Sequence, residues 1–187
     1  MIFLRSPDVL ALDDYEAYRP LLRRDFDHRC AYCLRHEFFF GGGEAGEIDH
    51  HRPRHLFPAQ VNEYRNLYWT CRKCNAIKGG KWPSAVQWGQ GLRFLDPCAE
   101  DPDDHWQAHA DGTLTALTPA GRYTIRQTRL DRPALAEFRR FLSGLQARVR
   151  TLEAALLAAN LSPALRAGLR AELDAAATLL HPPVFTP

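Results

Sequence analysis

The chain has 187 residues, of which 45% are hydrophobic and 25% are charged. This composition supports a packed core and excludes a wholly disordered chain, while the length allows one domain or a small domain with an appendage. No apolar run approaches the roughly 20 residues that span a bilayer, and the first residues lack the apolar stretch of a signal peptide, so we expect a soluble, cytoplasmic protein without a membrane partner.

The formal net charge of +2 hides an asymmetry along the chain. Residues 50–82 contain seven Lys and Arg against one acidic residue, whereas residues 95–111 contain six acidic residues and no Lys or Arg. The basic segment favours an anionic partner, although a solvated charged face is the simpler alternative.

The first half of the chain predicts one helix followed by short strands. Residues 13–26 have a helical pattern, in which Pro20 starts a new first turn. Residues 37–40 predict a strand that ends at three glycines, and residues 46–50 predict a second short strand.

Aromatic and β-branched residues at 66–70 predict a strand, and residues 74–78 predict a short helix that ends at two glycines. Further along, Asp111-Gly112 lies between two strand-like runs and predicts a β-hairpin. A turn at 119–121 is expected to precede another strand-like run at 123–125.

From residue 132 the chain becomes rich in Ala, Leu and Arg. Apolar residues recur at alternating spacings of three and four, which predicts one long amphipathic helix: Leu135, Phe138, Leu142, Leu145, Val149, Leu152 and Leu156. Ser162 and Pro163 predict the N-cap and first turn of a second helix. We therefore expect a helical hairpin over residues 132–187 after a first domain over residues 1–131. Packing within the hairpin explains the stripe most simply, and a dimer or partner interface is the alternative.

Four of the five cysteines form two Cys-x-x-Cys pairs, with 37 residues between the pairs: Cys30, Cys33, Cys71 and Cys74. In a cytosolic protein, this arrangement predicts a closed tetrahedral zinc site with a structural role. Disulfides are disfavoured in that compartment, and a thioredoxin-like motif needs a single such pair. The fifth cysteine, Cys98, is predicted to have no role.

The residues between the two cysteine pairs suit phosphodiester hydrolysis. Asp49 offers a carboxylate for a divalent cation, and His50 offers an imidazole that could activate water. Neighbouring side chains on a strand point to opposite faces, so both reach one site only where the strand bends or ends, which Pro53 favours. Taken singly, these residues are weak indicators, and their order relative to the cysteines carries the interpretation.

In this order and spacing, residues 30–79 resemble HNH endonucleases of the ββα-metal superfamily that carry zinc knuckles. The matched pattern is Cys-x-x-Cys, Asp-His, Asn-Leu and Cys-x-x-Cys-Asn-x-x-Lys-Gly, at Cys30 and Cys33, Asp49-His50, Asn66-Leu67 and residues 71–79. The resemblance implies an α+β fold. Its zinc-stapled ββα-metal core, residues 30–82, would have a flanking helix, a segment with a β-hairpin and a C-terminal α-helical hairpin.

The resemblance also implies a role for each matched residue. His50 would be the general base, Asp49 and Asn75 would bind a catalytic Mg²⁺ or Mn²⁺, and Asn66 would hold the loop that carries His50. Asn75 stands where many relatives have His. His51 stands where the family often has an aliphatic residue, so it is a further candidate ligand, or the base if the register shifts by one.

The expected function is therefore that of a hydrolase: a metal-dependent endonuclease acting on nucleic acid, with DNA preferred. Basic residues would contact the phosphate backbone: Arg52, Arg54, Lys73, Lys78 and Lys81. The flanking segments, residues 15–33 and 101–132, resemble HNH effectors of Septu and retron-type bacterial anti-phage systems, which implies an ATPase partner. The alternatives are a non-catalytic zinc module that binds nucleic acid or protein, and an adaptor or homo-oligomer organised by the long helix.

Overall fold

Helices and two small antiparallel sheets alternate along the chain in the computed structural model, which describes residues 1–158 and 160–184. The described helices are α1 (Arg19–Asp25), α2 (Arg72–Lys78), α3 (Ala85–Gly89), α4 (Pro119–Thr128), α5 (Pro133–Leu156) and α6 (Pro163–Leu180). The described strands are β1 (Gly46–His50), β2 (Leu67–Cys71), β3 (Trp106–Ala108) and β4 (Leu114–Ala116). The expected α+β class is confirmed. Within these residues, no helix combines the length and apolarity needed to cross a membrane.

The first sheet and the helix that follows it form a ββα unit. Strands β1 and β2 pair antiparallel, with Gly46 opposite Cys71 and His50 opposite Leu67, and α2 begins at the residue after β2. All five residues of β2 are buried, as expected of an aromatic and β-branched strand at the centre of a core. The strands predicted at 46–50 and 66–70 and the helix predicted at 74–78 are confirmed to within two residues.

Trp69 of β2 lies at the centre of the core and fixes how closely β1 approaches. A Cβ atom at Gly46 would lie 2.0 Å from Cζ2 of Trp69, so only glycine fits opposite this indole. Arg19 of α1 also contacts this indole, with its guanidinium 5.4 Å from the Trp69 ring, and it donates a hydrogen bond of 2.9 Å to the Gly46 carbonyl. Pro20 lies in the first turn of α1, as predicted, and a 3₁₀ turn precedes that helix.

The strand predicted at 37–40 is wrong, since these residues form a 3₁₀ turn that ends at Gly41 with φ +106°. Glu37 is buried there, and its carboxylate accepts hydrogen bonds from the guanidinium of Arg23 and lies 3.3 Å from Nδ1 of His28. These contacts hold residues 37–40 against α1, so the segment does not pair with a strand.

The strand-like run at 123–125 is also helical, because it lies inside α4. The hydroxyl of Thr118 caps this helix by accepting a hydrogen bond from the Gly121 amide at 3.0 Å, and Pro119 occupies the first turn. The Thr-Pro start was a stronger local signal than the β-branched residues that follow. The hairpin predicted at Asp111-Gly112 is confirmed: it joins β3 to β4, with Gly112 at φ +85°.

The two C-terminal helices form the predicted hairpin. Ser162 caps α6 by accepting from the Leu165 amide at 3.2 Å. Arg148 pairs with Glu172, and Arg166 donates to the Leu156 carbonyl, so the two helices lie side by side in opposite directions. Leu135 and Leu152 of the apolar stripe are buried and its other members are half-buried. Of the predicted range 132–187, residue 159 and residues 185–187 lie outside the described residues.

Candidate functional site

The four predicted zinc ligands converge on one point. The sulfur atoms of Cys30, Cys33, Cys71 and Cys74 all lie within 4.8 Å of one another, and Cys33 Sγ is 4.0 Å from Cys71 Sγ. Zinc bound to four thiolates at ~2.3 Å would separate the sulfurs by about 3.8 Å. The cluster therefore has the size and donor set to hold a metal ion such as zinc.

Local structure explains why these sulfurs meet. Cys30 and Cys33 lie in a tight turn in which Leu34 has φ +60°, and the Ala31 amide docks this turn on β2 by donating to the Trp69 carbonyl at 2.8 Å. Cys71 ends β2, and Cys74 lies in the first turn of α2.

Arginines surround the cysteine cluster. Nη2 of Arg132 donates to Cys74 Sγ at 3.1 Å. Nε of Arg35 and Nη2 of Arg139 are buried without a hydrogen-bond partner within the described part of the chain. A zinc ion with four thiolates carries a net charge of −2, which would compensate these buried cations. The surroundings therefore fit a metal-thiolate centre.

The environment of the cluster shifts the pKa values of two of its cysteines in opposite directions. Burial raises the pKa of Cys30, whereas hydrogen bonds from the other three cysteines lower the pKa of Cys71. Metal binding would displace the protons that remain, since thiolates are the ligands.

A pocket of about 470 Å³ opens where β1 meets α2 and the loop after β1. Its lining residues are Glu47, Ile48, Asp49, His50, Pro53, Arg54, His55, Asn75, Ala76, Gly79 and Gly80. Four of the predicted site residues, Asp49, His50, Arg54 and Asn75, thus border one cavity.

His50 ends β1 with one ring nitrogen already engaged. Its Nε2 lies 2.9 Å from the Val61 carbonyl, which can only accept, so Nε2 carries the proton in the neutral ring. Burial lowers the pKa of His50, so the imidazole is neutral at pH 7. The ring packs edge-on against Tyr15 at 4.8 Å. Nδ1 has no hydrogen-bond partner in the described chain and keeps a lone pair that can accept a proton.

Asn66 holds the loop after β1 through three hydrogen bonds. Its Oδ1 accepts from the Arg52 amide at 2.8 Å, and its Nδ2 donates to the carbonyls of Arg52 and Gln60, each at 3.1 Å. The loop that follows His50, and that supplies the Val61 carbonyl, is therefore tied to the start of β2.

Asp49 is buried, and both of its carboxylate oxygens are engaged. The Tyr32 hydroxyl donates to Oδ2 at 2.5 Å, and Nζ of Lys78 lies 3.0 Å from Oδ1 and 2.9 Å from Oδ2. A divalent cation bound here would lie beside a buried ammonium group, which charge repulsion opposes. The predicted cation pair of Asp49 and Asn75 does not fit this arrangement.

Lys78 was predicted to contact phosphate, and the structure corrects this. Its side chain is 0% exposed, and besides Asp49 it donates to the His50 carbonyl at 2.6 Å. The sequence predicts that a lysine near the end of a basic helix is solvated. In the structure, Lys78 is buried because its charge compensates the buried Asp49 carboxylate.

Glu47 is a pocket residue that the sequence analysis missed. Its Oε2 accepts a hydrogen bond from Nδ2 of Asn75 at 2.8 Å, and its Oε1 lies 3.0 Å from Nε of Arg72. The sequence contained one indication of this position. Glu47 lies two residues before Asp49, and residues i and i+2 of a strand share a face. His55 also lines the pocket and lies against Gly80.

The structure places His51 outside the pocket. Its ring stacks on Tyr68 at 4.7 Å and meets the edges of Trp82 and Phe94. Burial lowers the pKa of His51 to about 3, and its Nδ1 is buried without a partner among the described residues. This position serves as part of an aromatic cluster, which does not support a role as ligand or base.

The other predicted basic residues are exposed. Arg54 borders the pocket, with its guanidinium 5.8 Å from the Tyr15 ring. Arg52, Lys73 and Lys81 do not line it, and Nζ of Lys81 donates to the Gln127 carbonyl at 3.0 Å.

No protein-family model matches the chain, and a search of curated proteins likewise found no match. The function of the pocket therefore has to be inferred from its own residues.

Proposed function

We propose that the protein is a metal-dependent HNH endonuclease that hydrolyses phosphodiester bonds in nucleic acid, with DNA as the preferred substrate. One observation carries this proposal: His50 presents a neutral imidazole of defined tautomer, with Nδ1 unpaired in the described chain, at a pocket that also contains Arg54. A general base of this kind needs an unprotonated nitrogen at neutral pH and a fixed orientation.

In the proposed reaction, Nδ1 of His50 accepts a proton from the attacking water. The Val61 carbonyl holds the other side of the ring, and Asn66 keeps that loop in place. Arg54 would pair with a phosphate oxygen. When bound, Mg²⁺ or Mn²⁺ would stabilise the charge on the leaving oxygen.

Other basic residues support a nuclease that contacts the phosphate backbone and does not recognise base sequence. Arg52, Arg54 and Lys73 are exposed on the elements that flank the pocket, and phosphate contacts by such residues are sequence-independent. The role in anti-phage defence, with an ATPase partner, rests on the resemblance of the flanking segments alone.

The proposal is tested by incubating the zinc-loaded protein with supercoiled plasmid and with single-stranded DNA in Mg²⁺, Mn²⁺ or EDTA. We expect cation-dependent cleavage that His50→Ala abolishes and that His181→Ala, a change at an exposed histidine, leaves intact. Cleavage that survives His50→Ala would contradict the assignment of the base. A protein that binds DNA and zinc but never cleaves would favour the non-catalytic zinc module.

A further inference from the structure

We infer that Glu47, together with Asn75, holds the catalytic cation, and that Asp49 is a positioning residue for His50. This inference rests on the proposed nuclease function and departs from the assignment of Asp49 as the cation's carboxylate ligand.

Asp49 is committed to other partners. Its two oxygens receive three contacts from Lys78 and Tyr32, all at 3.0 Å or less. Lys78 is 0% exposed, so it has no route to water that would release the carboxylate without opening the core. Removing one member of such a pair leaves a buried unpaired charge, which strongly destabilises the fold.

Glu47, unlike Asp49, has a carboxylate that a cation in the pocket could reach. Its side chain is 31% exposed and borders the pocket beside Asn75. The Arg72 side chain that shares its carboxylate is 75% exposed, so it can move into water when a cation arrives. Oδ1 of Asn75 accepts no hydrogen bond from any described residue and is available as an oxygen ligand.

This donor set suits magnesium in particular. Mg²⁺ keeps several waters and is held by one or two protein oxygens together with phosphates of the substrate.

Asp49 then acts through Lys78. The same ammonium that binds its carboxylate donates to the His50 carbonyl at 2.6 Å, so the pair joins the end of α2 to the last residue of β1. Asp49 keeps this ammonium in place, and the ammonium keeps His50 at the pocket.

The test measures Mn²⁺ binding to the zinc-loaded chain by electron paramagnetic resonance of free Mn²⁺, and cleavage separately. We expect Glu47→Gln to weaken Mn²⁺ binding at least ~10-fold while zinc content and fold are retained. Glu44→Gln, at an exposed acid just before β1, is the matched control and should bind as the wild type does. Because Asp49→Asn alone could unfold the chain, the double variant Asp49→Asn/Lys78→Met removes both charges. It should keep Mn²⁺ binding within ~3-fold, a change below 1 kcal/mol. Its kcat for cleavage should fall at unchanged KM, and an unchanged kcat would overturn the positioning role of Asp49.

Normal Mn²⁺ binding by Glu47→Gln, or loss of binding in the folded double variant, would overturn the inference. So would a wild-type chain that binds no Mn²⁺. The proposed nuclease function fails separately: a chain that binds Mn²⁺ through Glu47 but cleaves no nucleic acid would keep the metal site and lose the function.

Discussion

The ammonium of Lys78 lies 2.9 Å from Oδ2 of Asp49, at the buried junction between the end of α2 and the end of β1. Burial lowers the pKa of Lys78, and burial raises the pKa of Asp49 despite the opposing charge of Lys78. Each residue is thus the main compensation for the charge of the other.

Lys78→Met should destabilise the protein by about 3 kcal/mol, because it leaves Asp49 buried without its cation. Adding Asp49→Asn should restore most of this loss, since no buried charge then remains. Urea unfolding with zinc in excess measures both variants and gives the coupling energy of the pair. Equal stability of Lys78→Met and the wild type would show that the pair contributes nothing.

Asn66→Ala should loosen the loop after β1 without disturbing the cysteine cluster. The change removes three hydrogen bonds to backbone groups of Arg52 and Gln60, each worth about 1 kcal/mol. Amide exchange of Arg52 should accelerate by at least ~5-fold, as the loss of one such bond alone predicts. Asn62→Ala is the control, because among the described residues this exposed side chain bonds only to the Asp13 carbonyl. Unchanged exchange in Asn66→Ala would refute the role of Asn66.

His51 should make the fold sensitive to mild acid. Its pKa is about 3 in the folded protein, against about 6.5 in an unfolded chain. Because the unfolded chain binds this proton more readily, the free energy of unfolding is highest above pH 6.5. It falls as the pH drops below that value. Between pH 7.5 and 5.5 the loss from this residue should be about 1 kcal/mol.

His51→Phe should reduce that loss and raise stability at pH 7.5, because phenylalanine suits the aromatic cluster and removes the unpaired Nδ1. Part of the acid sensitivity should persist, since burial also lowers the pKa of His50. Urea unfolding at both pH values, with zinc in excess, checks this. His181→Phe, at an exposed position, should retain the full loss, and identical pH dependence in His51→Phe would disprove the assignment.

Arg132→Leu should speed the loss of metal from the cysteine cluster. The guanidinium donates to Cys74 Sγ at 3.1 Å and offsets thiolate charge, and partners of metal ligands typically change affinity by ~10-fold or more. Zinc transfer to a chromogenic chelator measures the rate. Arg140→Leu changes an exposed arginine of α5, the helix that begins just after Arg132, and should release zinc at the wild-type rate. Equal rates in the two variants would contradict a contribution of Arg132.

Local patterns predicted most of the ββα unit. The spacing of the cysteines, the aromatic run at 66–70 and the glycines after Lys78 each indicate structure within a few residues. The helix at α4 was also within reach of local reasoning, because Thr118 and Pro119 mark its start.

Features that depend on distant partners were not predictable in this way. Lys78 is buried because Asp49, 29 residues earlier, needs its charge, and the 3₁₀ turn at Glu37 depends on Arg23 in another helix. Glu47 shares a strand face with Asp49, but its contact with Asn75 appears only when α2 folds back on β1. Periodicity shows which side chains share a face. It does not show which residues of other elements contact that face.

The order in which the site residues leave the ribosome limits when the pocket can exist. His50 emerges well before Leu67, its partner across the sheet, and before Lys78, which holds its carbonyl. The last of the arginines around the cysteine cluster, Arg139, follows about sixty residues after Lys78. A nascent chain therefore carries its candidate base before it carries the residues that position it, and the proposed hydrolysis would have to wait for the segments that contain Lys78 and Arg139.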